Sequence, residues 1–256
     1  MSYLKIVQVP MLNDNYGYIL HDPETSDTAV VDPSEAAPIL NILNKNHWQL
    51  RYILNTHHHW DHIGGNKELK TQTGAKIICS KEDKHRIEGA SAGMSEGSEF
   101  HIGRAPVQVI EIPGHTYGHI AFYLPTEYAV FCGDTMFSLG CGKLFEGTPA
   151  QMWNSLRRLG DLPEATNVYC GHEYTQSNAK FALSVDSNNN SLQAYAHYID
   201  DLRGEGRSTV PSTIGQELLC NPFLRAPLLK ENIGLSLNAS PEEAFAKLRV
   251  MKDGFA

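Results

Sequence analysis

The sequence predicts an α/β layered fold followed by a smaller helical domain. Three observations carry that expectation. Through about residue 173, short runs rich in β-branched and aromatic residues alternate with turns and single helical stretches, the pattern of layered α/β chains. From Tyr174 onward the texture changes to helical stretches with polar breaks. A length of 256 residues, 41% hydrophobic and 20% charged, suits one main domain with a smaller companion and excludes a largely disordered chain. The expected division is 1–173 and 174–256.

The elements follow in order. LKIVQVP, YGYILH and TAVVDPSE read as strands separated by turn residues. EAAPILNILNKNHW spaces its apolar residues for one face of a helix, and LRYILNT returns to a strand. In the next cycle GNKELKTQTG is a helix, AKIICS a strand, and KEDKHRIEGA a loop or short helix. APVQVIEIP, GHIAFYLP and YAVFCGD are further strands punctuated by Pro and Gly. TPAQMWNSLRRLGDLPE has helical spacing, and ATNVYCGHE closes the first domain as a strand. Beyond it, QSNAKFALSVDSNNNSLQAYAHYIDDLRGEG is helical with a polar break and TIGQELLCNPFLR is mixed. SPEEAFAKLRVMKDG predicts a terminal helix with Ser240 as N-cap and Pro241 in its first turn.

Composition narrows the function classes. A formal net charge of -8 argues against nonspecific nucleic-acid binding, which needs a basic surface. No apolar run approaches the roughly 18 residues that span a bilayer. The segment MSYLKIVQVPMLNDNYGYIL lacks a basic n-region and a small-residue cleavage site, so a cytoplasmic location is expected. The five cysteines, Cys79, Cys132, Cys141, Cys170 and Cys220, are scattered without CxxC spacing and read as small buried hydrophobes. Nothing in the pattern demands an oligomer, and a monomer is expected.

The chemistry concentrates in LNTHHHWDHIGG, residues 54–65. In an extended loop leaving a strand, alternate residues share a side, so His57, His59 and Asp61 are expected to project together while His58 and Trp60 face away. His62 follows where the chain turns into a helix, and can serve a neighbouring point. HxHxDH therefore suits two adjacent ions, and imidazole with carboxylate suits first-row divalent metals. Completing ligands stand at similar strand ends beside glycine: His115 and His119 in PGHTYGH, Asp134 in GDT, and His172 in CGHE. A carboxylate such as Asp134 can bridge two cations through its two oxygens. Asp32, ending AVVDP, either orients a ligand imidazole from behind or is a turn residue before Pro33. His21, His47, His85, His101 and His197 lack ligand partners in the sequence and read as core or surface residues.

HHHWDH, GHTYGH, GDT and CGHEYT, in that order, resemble the metallo-β-lactamase superfamily. Over essentially all 256 residues, including VVDPSE, FSLGCGKLFEGT and the ending RVMKD, the chain is similar to its glyoxalase II (hydroxyacylglutathione hydrolase) family. The resemblance implies an αββα metallo-β-lactamase sandwich, two mixed sheets between helices, with a smaller C-terminal helical domain that binds substrate. It also implies how the ligands divide: His57, His59 and His115 for one ion, Asp61, His62 and His172 for the other, and Asp134 between them. His119 is then a supporting or structural histidine. Zinc is the expected metal, with iron or manganese acceptable to the same donors.

Substrate contacts rest on the resemblance more heavily. It implies that Lys143, Tyr174, Arg249 and Lys252 hold glutathione. The chemistry agrees, since glutathione carries two carboxylates that three converging cations would favour. Arg249 and Lys252 share one helix face, although such a pair by itself reads as a solvated charged surface. Some family members have a tyrosine where this chain has Phe145, so a hydroxyl contact to the peptide part of the ligand is in doubt. The implied reaction is hydrolysis of S-(2-hydroxyacyl)glutathione, typically S-lactoylglutathione, to glutathione and a 2-hydroxy acid (lactate), the second step of methylglyoxal detoxification. A hydroxide shared by two ions is the expected nucleophile, with Asp61 orienting it. The rivals are another hydrolase on this scaffold, such as a lactonase, and a persulfide dioxygenase with one iron. The substrate set and helical tail speak against the first. The surplus of ligands speaks against the second.

Overall fold

A computed structural model describes residues 2–255, which fall into two compact units: 2–111 with 118–133, and 112–117 with 134–255.

In the first unit, β1 (Lys5–Met11), β2 (Asn15–His21) and β3 (Asp27–Val31) form an antiparallel meander. α1 (Ala36–Asn46) follows, then β4 (Gln49–Leu54), the short turn α2 (Trp60–Ile63), α3 (Asn66–Thr73) and β5 (Lys76–Ser80). β6 (Ala92–Met94) completes a mixed sheet in the order β1-β2-β3-β4-β5-β6, parallel from β3 onward. Parallel neighbours need a crossover, and α1 supplies it between β3 and β4. The apolar face of α1, through Ile39 and Leu43, packs with Leu69 of α3 onto Ile19, Val30, Ile53 and Ile77 of the sheet. Each of these buried side chains contributes roughly 1.5–3 kcal/mol of burial free energy.

β7 (Glu99–Ile102), β8 (Ala105–Glu111), β9 (Ile120–Leu124) and β10 (Ala129–Gly133) form a second, antiparallel set. It faces the first sheet through Tyr18 against Phe131, 5.3 Å between centroids, and Tyr52 against Phe100, 6.1 Å. Strand β2 is buried at every residue, as a strand covered on both faces must be.

The second unit holds the hairpin β11 (Met136–Phe137) and β12 (Gly140–Cys141), then α4 (Pro149–Gly160) and β13 (Asn167–Cys170). After these come α5 (Thr175–Val185), α6 (Asn190–Gly204), β14 (Ser212–Thr213), α7 (Ile214–Cys220) and α8 (Pro241–Asp253). Local chemistry sets these boundaries. Thr148 with Gln151, and Ser240 with Glu243, close reciprocal capping boxes in front of a proline at the start of α4 and α8. The polar break in the long helical segment is the turn 186–189, where Asn189 caps α6. Phe181, Phe223 and Phe245 form a chain of ring contacts at 5.8–5.9 Å, tying α8 to α5. All five cysteines are buried free thiols. Among the described residues no helix is long and apolar enough to cross a membrane.

Candidate metal centre and substrate pocket

Beyond β4, the first histidine group is organised by one buried carboxylate. Asp32 ends β3 with φ of 47°, a left-handed conformation that carboxamide and carboxylate side chains tolerate better than most. Its Oδ1 accepts the Thr56 N–H at 2.8 Å, and its Oδ2 accepts the Thr56 hydroxyl at 2.6 Å and His62 Nδ1 at 3.0 Å. A carboxylate only accepts, so His62 carries its proton on Nδ1 and presents a lone pair on Nε2. His57 Nδ1 lies 3.1 Å from the Thr56 hydroxyl. That hydroxyl spends its hydrogen on Asp32, so His57 donates to it and its Nε2 also keeps a lone pair. Asp32 thus holds the His62 imidazole directly and the His57 imidazole through Thr56. Asp32, His57 and His62 offer ligand atoms that all lie within 4.8 Å of one another.

The alternation expected of the histidine run holds only through His59. His57 Nε2 lies 3.1 Å from His59 Nδ1, while His58 turns aside to Asp83, 3.2 Å away, and Trp60 is 72% exposed. From Trp60 the chain is helical, not extended, so Asp61 and His62 are placed by the turn α2. The turn is pinned where Asn15 Nδ2 donates to Asp61 Oδ2 and to the Asp61 carbonyl, both at 3.1 Å, and where the Ser34 hydroxyl donates to that carbonyl. Asp61 Oδ2 stands 3.7 Å from His62 Nε2. His119 stacks on His57, centroids 4.6 Å apart, a supporting position. His47, His85, His101 and His197 are exposed, and His21 is stacked on Trp48.

In the second unit, His115 Nδ1 is 2.8 Å from the Lys143 carbonyl, which again fixes the proton on Nδ1. Its Nε2 lies 3.6 Å from Asp134 Oδ2, and His172 Nε2 lies 3.3 Å from the same oxygen. A Cβ on Gly142 would fall 2.0 Å from the Asp134 carbonyl oxygen and 2.9 Å from His115 Nδ1, so the third residue of GCGK has to be glycine. His62 and His115 each hold Nδ1 with an oxygen and turn Nε2 towards a carboxylate, as His172 turns its Nε2, while His57 turns its Nε2 towards His59. That donor set fits a divalent metal.

The pocket beside His115 and Asp134 has a volume of about 410 Å³, and Lys143, Tyr174, Arg249 and Lys252 all line it. Arg249, only 5% exposed, donates from Nη1 to the Cys141 carbonyl at 2.8 Å and from Nη2 to Asp253 at 2.9 Å. Its Nε–H has no hydrogen-bond partner among the described residues, and a buried guanidinium with an unused donor is suited to receive an anion. Lys252 Nζ lies 3.3 Å from the Ser177 hydroxyl and 5.7 and 5.6 Å from the rings of Phe181 and Phe255. Burial, then the Arg249 charge, lowers the Lys252 pKa from the ordinary lysine value, against the opposing pull of Asp253. Tyr174 stacks on His172 at 4.8 Å, with Phe137 edge-on to both rings. Phe145 meets His115 edge-on at 5.2 Å. Sequence reasoning missed Phe137, Cys141, Ser177 and Asn178 as lining residues. The last two stand three and four positions after Tyr174, a spacing that signals one helix face.

Comparison with known proteins agrees with this geometry. The metallo-beta-lactamase superfamily matches residues 15–172, and the family described as hydroxyacylglutathione hydrolase C-terminus matches residues 173–255. The chain is 48% identical to the hydroxyacylglutathione hydrolase of Methylococcus capsulatus, over 98% of this chain and 99% of that one. It is 50% identical to the hydroxyacylglutathione hydrolase of Ruegeria pomeroyi, again over 98% and 99%. The crystal structure of ETHE1 from Myxococcus xanthus shares the fold, with a TM-score of 0.67 over 100% of both chains at 22% identity. The chain therefore belongs to the hydroxyacylglutathione hydrolases, with the α/β fold of the metallo-β-lactamase superfamily and a helical C-terminal region.

Proposed function

We propose that this chain is a metal-dependent thioester hydrolase that cleaves S-(2-hydroxyacyl)glutathione, S-lactoylglutathione above all, to glutathione and a 2-hydroxy acid. The observation that carries the proposal is the pocket in which Lys143, Arg249, Lys252 and Tyr174 share walls with His115 and Asp134. Three cations and a phenol beside metal-type donors suit a thioester whose thiol part bears two carboxylates. We assign His57, His59 and His115 to one ion, Asp61, His62 and His172 to a second, and Asp134 as the bridge. Family membership and the tautomers fixed by Asp32, Thr56 and the Lys143 carbonyl support that assignment. Zinc is the proposed metal and the cytoplasm the proposed setting, the latter supported by five buried cysteines that remain free.

Two divalent ions bound here would acidify water toward neutrality and offset negative charge growing on a carbonyl oxygen. The chain's own residues do the rest. Arg249 and Lys252 seat the glutathione carboxylates, and Lys143 adds charge at the exposed rim. Tyr174, held flat against His172, donates or accepts through its hydroxyl at the pocket wall. Asp61 is pinned by Asn15, so its carboxylate can orient the attacking water. The leaving thiolate has a conjugate acid of pKa about 8.5, so no dedicated proton donor is required. In this reading residues 1–173 form the catalytic domain and residues 174–256 the helical substrate-binding domain. Turnover of S-lactoylglutathione against a lactone and a β-lactam, on protein of measured metal content, tests the proposal. Preference for the thioester is expected, and equal or faster lactone turnover overturns it.

A further inference from the structure

Glu173 lies between two residues assigned to the site and is given no role by the chemistry above. Its neighbours His172 and Tyr174 stack with planes 4° from parallel. Glu173 instead engages a distant segment, with its side chain only 7% exposed. Its Oε2 accepts the Thr209 N–H at 2.9 Å, and its Oε1 accepts the Thr209 hydroxyl at 2.6 Å. The Thr209 hydroxyl also meets the Thr175 hydroxyl at 2.5 Å. A hydroxyl has one hydrogen to give and a carboxylate only accepts, so donation runs from Thr175 to Thr209 to Glu173. The Arg203 guanidinium stands 3.7 Å from Oε2.

We infer that Glu173 is a positioning residue that clasps the connection between β13 and α5, holding the ion ligand His172 and the pocket residue Tyr174 in one fixed arrangement. The connection spans only residues 171–174, and β13 enters it where α5 leaves it. Hydrogen bonds in a buried setting are stronger than in water, so the two bonds from Glu173 to Thr209 hold the connection to a distant segment of chain. His172 Nε2 then keeps its 3.3 Å approach to Asp134. Tyr174, stacked on His172, shares the same anchor. Ion site and substrate pocket are thus tied to one carboxylate that touches neither ion nor substrate.

The inference rests on His172 being an ion ligand, so its test reads zinc affinity directly, by competition with a chromophoric chelator on the full chain. KM and kcat at saturating zinc are measured alongside. Glu173→Gln can keep the clasp with the hydroxyl chain reversed. Its carbonyl accepts the Thr209 N–H, and its amide donates to the Thr209 hydroxyl, which then donates to Thr175. It is expected within about twofold of the parent in zinc affinity and KM. Glu173→Ala is expected to weaken zinc binding by about 10- to 100-fold, the usual effect of removing the partner behind a ligand. It is also expected to raise KM about fivefold, with kcat changed less than about twofold. Thr209→Val, which keeps the backbone N–H, is expected between the two and carries the test where Glu173→Ala does not fold. A lowered Tm with zinc affinity and KM unchanged overturns the inference, as does Glu173→Gln being as damaging as Glu173→Ala. His172→Ala separates the two readings. Unchanged zinc binding there overturns the ligand assignment and the clasp together, whereas zinc loss in His172→Ala with none in Glu173→Ala overturns the clasp alone.

Discussion

Replacing Asp32 by asparagine changes no shape and removes one acceptor, which makes it a sharp test of how the first histidine group is tuned. If the amide oxygen keeps the Thr56 N–H at 2.8 Å, the amide nitrogen faces His62 Nδ1 and the Thr56 hydroxyl, where the carboxylate accepted from both. His62 then has to present a lone pair at Nδ1 and carry its proton on Nε2, the atom assigned to the ion. A flipped amide would set its nitrogen against the Thr56 N–H, a donor that cannot change, whereas an imidazole can move its proton, so the first orientation is the one expected. Either way one charge-assisted hydrogen bond of about 1.5–3 kcal/mol is lost or inverted. That corresponds to about one to two powers of ten in ion affinity. Zinc competition against a chelator reads it directly, with the metal-free Tm measured in parallel to show that the fold persists. Tight binding of a full complement of zinc by Asp32→Asn at the parent's affinity would refute the tautomer argument.

Other expectations follow from the same geometry. His58→Ala should leave metal content and activity largely intact, because His58 faces Asp83, whereas His59→Ala should lower both. Equal damage from the two, measured by metal analysis and turnover, would mean the loop has been misread. Arg249→Ala combined with Lys252→Ala should raise KM by about 100-fold or more while kcat falls far less, two charge-assisted contacts being removed from binding. An unmoved KM would mean that Arg249 and Lys252 serve the fold and not the substrate. Lys252 binds a carboxylate only while protonated, and its pKa is held below the usual lysine value. KM should therefore climb as pH rises through a range below that of a free lysine, and Lys252→Met should remove this alkaline limb from the KM profile.

Much of this was legible in the sequence because the signals are local. The long strands and α1, α4 and α8 announce themselves by apolar period, and α8 also by its cap Ser240. β6, β11, β12 and β14 do not, since strands of two or three residues have no period to read. The α2 turn was hidden because a four-residue helix inside a histidine run offers no apolar face, so alternation was carried two residues too far. The seven candidate ligands stood out through their motifs. Asp32 and Arg249 stood out too, but the partners each one holds did not, because those are made by chain far away in sequence. Asp32 reaches His62 across 30 positions, and Arg249 reaches the Cys141 carbonyl across 108. Glu173 was passed over because its partner, Thr209, sits in a segment with no motif at all.

Recognition of glutathione through its carboxylates is the claim on which the functional account stands. The most direct measurement is kcat/KM for S-lactoylglutathione against the lactoyl thioester of a small uncharged thiol, at matched zinc occupancy and ionic strength. Loss of two charge-assisted contacts predicts at least about a 100-fold lower kcat/KM for the uncharged thioester, nearly all of it in KM. Equal efficiency on the two thioesters would contradict the account, leaving a hydrolase whose cationic pocket has no part in choosing its substrate.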